Sequence, residues 1–361
     1  MKINRRTFIG NTAKSLGGLY LFGPKVFANP KPIKIGILAP AHCPLPIVYA
    51  KTKGLYKKGG VNVEIVNYKS MKDIVKDLNT GEIDLCQLTT PLAFGIGGNN
   101  PNLPNFPLVV PHVLGTNGGI LAASTKSNIQ KIYDLKGKKI GIHSPFMVHF
   151  LILKNLLDKY GLKSGKNIEI INIDMGKMAD ALKNETIDAL IGPEPLPTFL
   201  EEKKLIKSLV YTRMFWLNHP CCVLAMKKSF FEKEPFMVQD LATATIIAGL
   251  TLDNPVSRKE AIADVHQHYK PYNQIKISSL YKAFKPRRSD FYPFPFRSAG
   301  KIVVDLMKNY SLLDKNTDGY KLVNEIFQCD FAMNAIISAA NEVPNTIVPQ
   351  SIDRKEVIKL L

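Results

Sequence analysis

Apolar and polar residues alternate through Ile33-Lys-Ile-Gly-Ile-Leu38, which predicts a half-buried strand followed by a Pro-rich loop, Ala39 to Pro46. A helical pattern runs from about Ile47 to Tyr56 and stops near Gly54 and Gly59-Gly60. Val61 to Val66 alternates again, Ser70 to Leu78 is amphipathic at helical spacing, and Ile83 to Leu88 reads as a third strand. The same grammar returns downstream. Lys139 to His143, Ile168 to Ile173 and Ile187 to Ile191 read as strands, and Met147 to Tyr160 and Met178 to Leu182 as helices. Strand–helix–strand alternation predicts parallel α/β sheets with ligands at the C-terminal ends of the strands.

Two copies of one pattern predict two lobes with a cleft between them. Crossings are expected near Thr116-Asn117-Gly118-Gly119 and near Asn218-His219-Pro220. The first lobe is assigned 29–117 and 218–320, the second 118–217. Residues 321–361 are assigned to a C-terminal helical segment packing on the first lobe. Long helices are predicted at Val238–Leu250 and Arg258–Tyr269, before a Pro- and aromatic-rich stretch from Phe284 to Phe296.

The first residues follow a different pattern. Asn4-Arg5-Arg6-Thr7-Phe8-Ile9 precedes a weakly apolar run to Phe22, and Val26-Phe27-Ala28 ends in a small residue. Paired arginines before such a run resemble a twin-arginine export signal, with cleavage expected after Ala28. Gly10, Gly17, Gly18, Gly23 and Pro24 argue against a folded helix here. Lys14 interrupts a run already short for a membrane span. The expected location is therefore periplasmic.

Charge and cysteine content narrow the classes. The 361-residue chain carries a net charge of +18, and five of its basic residues lie in the leader, leaving +13. Those charges are mostly scattered lysines beside acids, with one local cluster at Lys285, Arg287 and Arg288. Without a basic stripe interleaved with aromatics, nucleic acid is not an expected partner. Five cysteines (Cys43, Cys86, Cys221, Cys222, Cys329) are too few for a disulfide scaffold, though one bridge has the residues it needs. Their spacing matches no structural zinc motif, and no metal or cofactor is expected.

Several segments together resemble the nitrate/sulfonate/bicarbonate-binding proteins of ABC importers, and also the thiamin-pyrimidine-precursor-binding group. They are Cys43-Pro-Leu-Pro-Ile-Val-Tyr-Ala-Lys-Thr-Lys-Gly54, Thr90-Pro-Leu-Ala-Phe-Gly-Ile-Gly97 and Asn117-Gly-Gly-Ile-Leu-Ala122. Val148-His149, Lys177 to Asp188, Pro193-Glu194-Pro195 and His219-Pro-Cys-Cys-Val-Leu224 complete the set. The resemblance implies a two-lobed type II periplasmic binding fold and a non-enzymatic, solute-binding role. It also implies a permease partner at the cytoplasmic membrane and a monomeric protein. The chain departs from the nitrate and bicarbonate branch at three points. Met71 stands where that branch has Trp, Gly119 where it has Gln, and Cys222 where it has Lys. Those side chains present donors to a small oxyanion, so their loss argues against nitrate.

The residues expected at the ligand are His42, Cys43, Met71, Thr89, Thr90, Asn117, Gly118, Gly119, Met147, His149, Glu194, Cys221 and Cys222. His149 is expected near a helix start, where backbone N–H groups favour negative ligand atoms. Glu194 is expected to hold a cation or a ligand amine. Thr89 has a second reading as a helix N-cap before Pro91. His42, the cysteines and Met71 would suit a soft metal, but Cys and Met more often fill cores. The leading function is the binding component of an ABC importer for a small organic solute. A periplasmic sensor is the second reading, and an enzyme like the thiamin-pyrimidine synthases the third. Replacing Arg5 and Arg6 with Lys should abolish periplasmic delivery, because the pathway reads guanidinium groups. Cell fractionation checks this, and an unchanged periplasmic yield would refute the twin-arginine reading.

Overall fold

In a computed structural model, residues 31–356 and 358 are described, so the segment read as an export signal lies outside them. Among the described residues, eleven strands form two sheets. In chain order they are β1 (Ile33–Ile37), β2 (Val63–Asn67), β3 (Leu85–Thr89), β4 (Leu108–Asn117), β5 (Gly119–Ser124), β6 (Lys139–Ile142), β7 (Glu169–Asn172), β8 (Ala189–Pro193), β9 (Ile206–Tyr211), β10 (Pro220–Lys227) and β11 (Ser289–Asp290). The first sheet has the order β11-β4-β10-β3-β1-β2 and the second β7-β6-β8-β5-β9.

Each sheet keeps a parallel nucleus. Ile35 of β1 pairs with Ile65 and Leu85 on its two sides, and Ile140 of β6 pairs with Ile170 and Ala189. Neither sheet is wholly parallel, contrary to the sequence expectation. β10 enters antiparallel between β3 and β4, and β5 enters antiparallel between β8 and β9. These are the strands that follow the chain's crossings. β4 and β5 are buried along their whole length, so no polar–apolar alternation marks them in the sequence. Burial on both faces still separates β5's side chains: Leu121 and Ala123 join the large core, Ile120 and Ala122 a second cluster with Met178, Leu190 and Leu200.

The predicted first helix is two pieces, Leu45–Thr52 and Leu55–Lys58, because Gly54 adopts φ +70° between them. Ser70 caps Met71–Thr80 by accepting from the Asp73 N–H. The helix Pro235–Asp253 is long and apolar enough to cross a bilayer, but it packs against Leu45–Thr52 and Cys329–Ala339 as a core helix. The C-terminal assignment needs correction. Helices span Gly319–Ile326 and Cys329–Ala339, and 340–356 is irregular. That tail returns to the crossing: Trp216 Nε1 donates to Glu356 at 2.7 Å, and Arg354 Nη2 donates to the Asn218 carbonyl at 2.8 Å. The tail carries few apolar residues in any period, so no apolar stripe extends the helix beyond Ala339.

Candidate functional site

The two crossings are built from left-handed residues. Asn117, Gly118 and Asn218 have φ of +59°, +74° and +58°. Asn117 satisfies this corner with its own amide: Nδ2 donates to Asp290 at 2.8 Å and to Asn218 Oδ1 at 3.1 Å, and Oδ1 accepts from the Asn218 N–H at 2.8 Å. Asn tolerates this backbone region because its short amide bonds locally. Asn117 is thereby a structural residue of the crossing and does not line the cavity described below.

Beside the crossing lies a buried ion cluster. Arg288, adjoining β11, donates Nε to Glu194, Nη2 to Glu201 at 3.0 Å and Nη1 to the Tyr211 hydroxyl at 3.2 Å. Glu194 also accepts from the Thr198 hydroxyl at 2.8 Å. Burial pushes the Glu194 carboxyl up, against the pull of Arg288 and Thr198. Burial also pulls the Arg288 guanidinium down, but Glu194 and Glu201 carry it above its usual value. Glu194, expected to hold a cation or a ligand amine, is paired inside the protein with Arg288.

A cavity of about 240 Å³ opens between the strand ends of the two sheets. The first lobe contributes Leu38, Pro40, Ala41, His42, Cys43, Met71, Gln87, Thr89, Cys221 and Cys222; the second contributes Met147, Met175, Gly176, Pro193, Glu194, Pro195, Leu196 and Phe199. The wall is mostly apolar and sulfur-rich. Backbone bonds tie its edge, with the His42 N–H donating to the Glu194 carbonyl at 3.3 Å. Thr89 acts as the N-cap of Thr90–Gly97 and donates its hydroxyl to the Phe146 carbonyl across the cleft. Thr90 is turned inward and donates to the Cys221 carbonyl at 3.3 Å.

His149 is placed differently from the expectation. It lies in the first turn of Val148–Lys159 but outside the cavity lining, buried behind Cys221, with Nε2 4.0 Å from that sulfur. Its ring fills space that Gly119 leaves open. A Cβ at position 119 would meet His149 Cδ2 at 2.2 Å, and one at 118 would meet His42 Nε2 at 2.4 Å. The two glycines, expected as ligand contacts, instead seat two imidazoles. His149 also meets His219 edge to face, ring centroids 6.0 Å apart, and His219 Nε2 lies 2.9 Å from the Thr212 hydroxyl. Burial lowers all three rings, His149 to about 3, and each has a buried Nδ1 without a hydrogen-bond partner among the described residues.

All five thiols are free and buried, and three of them line the cavity. On a regular strand Cys221 and Cys222 would face opposite sides. Register shifts on both sides of Cys222, where β10 meets β4, turn both sulfurs inward. Cys43, Cys221 and Cys222 form a hydrogen-bonded trio. Hydrogen bonds from Cys221 and Cys43 hold Cys222 well down; burial pushes Cys43 up, and the bond to Cys222 pushes Cys221 up. Gln87 was missed by the sequence reading. Its Oε1 accepts from the Leu38 N–H at 3.0 Å and its Nε2 faces Cys222 Sγ at 3.6 Å. A lone amide in a fully buried strand is the signal that could have found it.

The model of the NMT1-like family matches residues 27–266, and the chain belongs to that family. The nitrate import ATP-binding protein NrtC of Synechococcus elongatus is 23% identical over 252 residues, 66% of this chain and 38% of that protein. The bicarbonate-binding protein CmpA of the same organism is 22% identical over 245 residues, 61% of this chain and 52% of that protein. The chain thus spans about two fifths to one half of these relatives' length. The crystal structure of the periplasmic nitrate-binding protein NrtA from Synechocystis PCC 6803 superposes with a TM-score of 0.79, covering 90% of this chain and 93% of that one at 18% identity. The expected two-lobed periplasmic binding protein fold is the observed one.

Protonation of the buried rings sets a pH dependence. His149 is held at about 3 and His112, on β4, at about 4, both by burial, against 6.5 for a free ring. Between these values the unfolded chain binds protons that the folded chain does not, so stability is intact above 6.5 and falls as the pH drops below it. Each ring costs up to about 1.4 kcal/mol per pH unit in that window. Thermal melting from pH 7 to 4.5 checks this, and His112→Gln should flatten the slope by about one proton. A melting temperature that holds constant over that range would contradict neutral buried rings.

Proposed function

We propose that this protein is the extracytoplasmic solute-binding component of an ABC importer, capturing a small solute between its lobes and presenting it to a membrane permease. One observation carries the reading: in a member of this family, the largely apolar cavity at the strand ends draws its wall from both lobes. A ligand there touches both lobes at once, so it binds the closed arrangement better than an open one, and closure follows from that difference. The names of the matched relatives, a nitrate import protein and a bicarbonate-binding protein, support transport as the setting. The left-handed corner at Asn117, Gly118 and Asn218 is the natural hinge, since few residues there need change φ and ψ.

The wall argues for a ligand other than a hydrated oxyanion. No lysine or arginine side chain lines the cavity among the described residues, and its polar groups are one imidazole, one amide, thiols, a hydroxyl and an already paired carboxylate. Stripping water from nitrate needs several strong donors in return. Titration calorimetry with nitrate and bicarbonate at neutral pH should therefore show no micromolar binding; a micromolar signal for either would exclude this reading of the wall. Native mass spectrometry of protein from its source should reveal the bound solute. Adding that solute to stripped protein should lower the radius of gyration in X-ray scattering and raise the melting temperature. A bound solute that leaves the radius unchanged would refute capture by closure.

A further inference from the structure

The ligand-facing end of β10 carries a donor set that capture of a purely organic solute does not call for. The donor atoms of His42, Cys43 and Cys221 all lie within 4.8 Å of one another, and all three residues are buried. Cys43 Sγ and His42 Nε2 are 3.2 Å apart. Ligands each about 2.3 Å from a tetrahedral ion sit roughly 3.8 Å apart, so the cluster need contract only by side-chain rotation. The register shifts beside Cys222 bring a third thiol to the same wall. His42 keeps a buried, unpartnered Nδ1. Thioethers of Met71, Met147 and Met175 line the remaining wall.

From this geometry we infer that the cleft holds a thiophilic metal ion, with Cys43 Sγ, Cys221 Sγ and a His42 ring nitrogen as ligands and Cys222 as the fourth. Thiolate, thioether and imidazole together suit Cu(I) or Zn(II), and the surrounding thioethers weigh toward Cu(I). Binding displaces the thiol protons to solvent and changes no oxidation state. An ion uses a small part of about 240 Å³, so room remains for a small co-ligand that bridges to the second lobe. The bulge is what lets two adjacent cysteines share one wall; on a regular strand they would face opposite sides. The inference deepens the solute-capture reading and rests on it for the ion's arrival from outside the cell.

The test uses reduced full-length protein under anaerobic conditions. Cu(I) is titrated against a bathocuproine competitor and Zn(II) against a chromophoric chelator. One equivalent of at least one ion should bind. Cys43→Ala and Cys221→Ala should each weaken it by more than the roughly 10–100-fold that loss of an outer-shell partner costs. Cys329→Ala, whose thiol donates to the Pro295 carbonyl away from the cleft, should leave it unchanged. Circular dichroism establishes that each variant is folded. X-ray absorption on the wild-type protein, which needs no variant, should show sulfur scatterers around the ion. Absence of stoichiometric binding, an oxygen-only coordination shell, or full binding in the Cys43→Ala/Cys221→Ala double variant would each overturn the site. A co-purifying organic solute that stays in those variants while the wild-type protein takes up no stoichiometric metal would overturn the metal site and leave solute capture standing. Stoichiometric metal uptake without any fall in radius of gyration would do the reverse.

Discussion

The arrangement of the two lobes turns on one guanidinium. Arg288 belongs to the segment beside the first sheet's edge strand, yet its partners Glu194, Glu201 and Tyr211 all belong to the second lobe. Its side chain is 3% exposed and that of Glu194 is not exposed at all. Burying such a pair costs several kcal/mol per ion in lost hydration, and only a well-formed set of hydrogen bonds offsets it. The pair is therefore weak as a source of stability and strong as a source of geometry: it fixes where the Arg288 segment lies against Glu194 and Glu201, beside the crossing. The Gly118 N–H donating to the Arg288 carbonyl, and the Glu194 N–H donating to the Gly118 carbonyl, bind the crossing to this cluster. The crossing and the ion pair are one unit.

That constraint reaches the cavity through the backbone. Glu194 and the prolines on either side form part of the second lobe's wall, and the Glu194 carbonyl accepts from the His42 N–H. The position of the His42–Cys43 loop therefore follows from where Arg288 holds Glu194. The glycines do the same on the other side. With no Cβ at 118 and 119, the rings of His42 and His149 lie directly against the crossing strand. A longer side chain at 119, such as the glutamine of the nitrate and bicarbonate branch, needs the volume that the His149 ring holds. Gly119 and the His149 ring are thus linked by packing, and so are Gly118 and the His42 ring.

Much of the fold was legible because it follows a period. β1, β2, β3 and their counterparts β6, β7, β8 alternate or end at Gly and Asn turns, and the repeat of that grammar predicted two sheets. β4, β5 and β10 were not legible as strands, since both their faces are buried and no period survives. Within the site, Cys43, Met71 and Cys221-Cys222 were found because they are chemically unusual or match a family position. His149 matched a family position as well and yet sits behind the wall, because the space vacated at Gly119 is visible only in three dimensions. Arg288 appeared in the sequence only as part of a local basic cluster. Its partners lie 94 and 87 residues away, and no local pattern encodes a pairing at that distance.

The β10 irregularity shows how a small backbone change sets chemistry. Adjacent residues on a strand cannot both serve one cavity unless the ladder slips. Here it slips beside Cys222, and the cost is local, because β3 continues in regular register with Cys222 to Met226 on the other side. Gln87, one strand over, directs its amide at the Cys222 sulfur. A thiol or thiolate accepting that N–H is fixed in direction as well as position. The sulfur wall is thus held from three sides: by the bulge, by Gln87, and by the His42–Cys43 loop that Arg288 locates through Glu194. Residues that merely filled volume would need none of these restraints, since apolar packing tolerates rotation about Cα–Cβ.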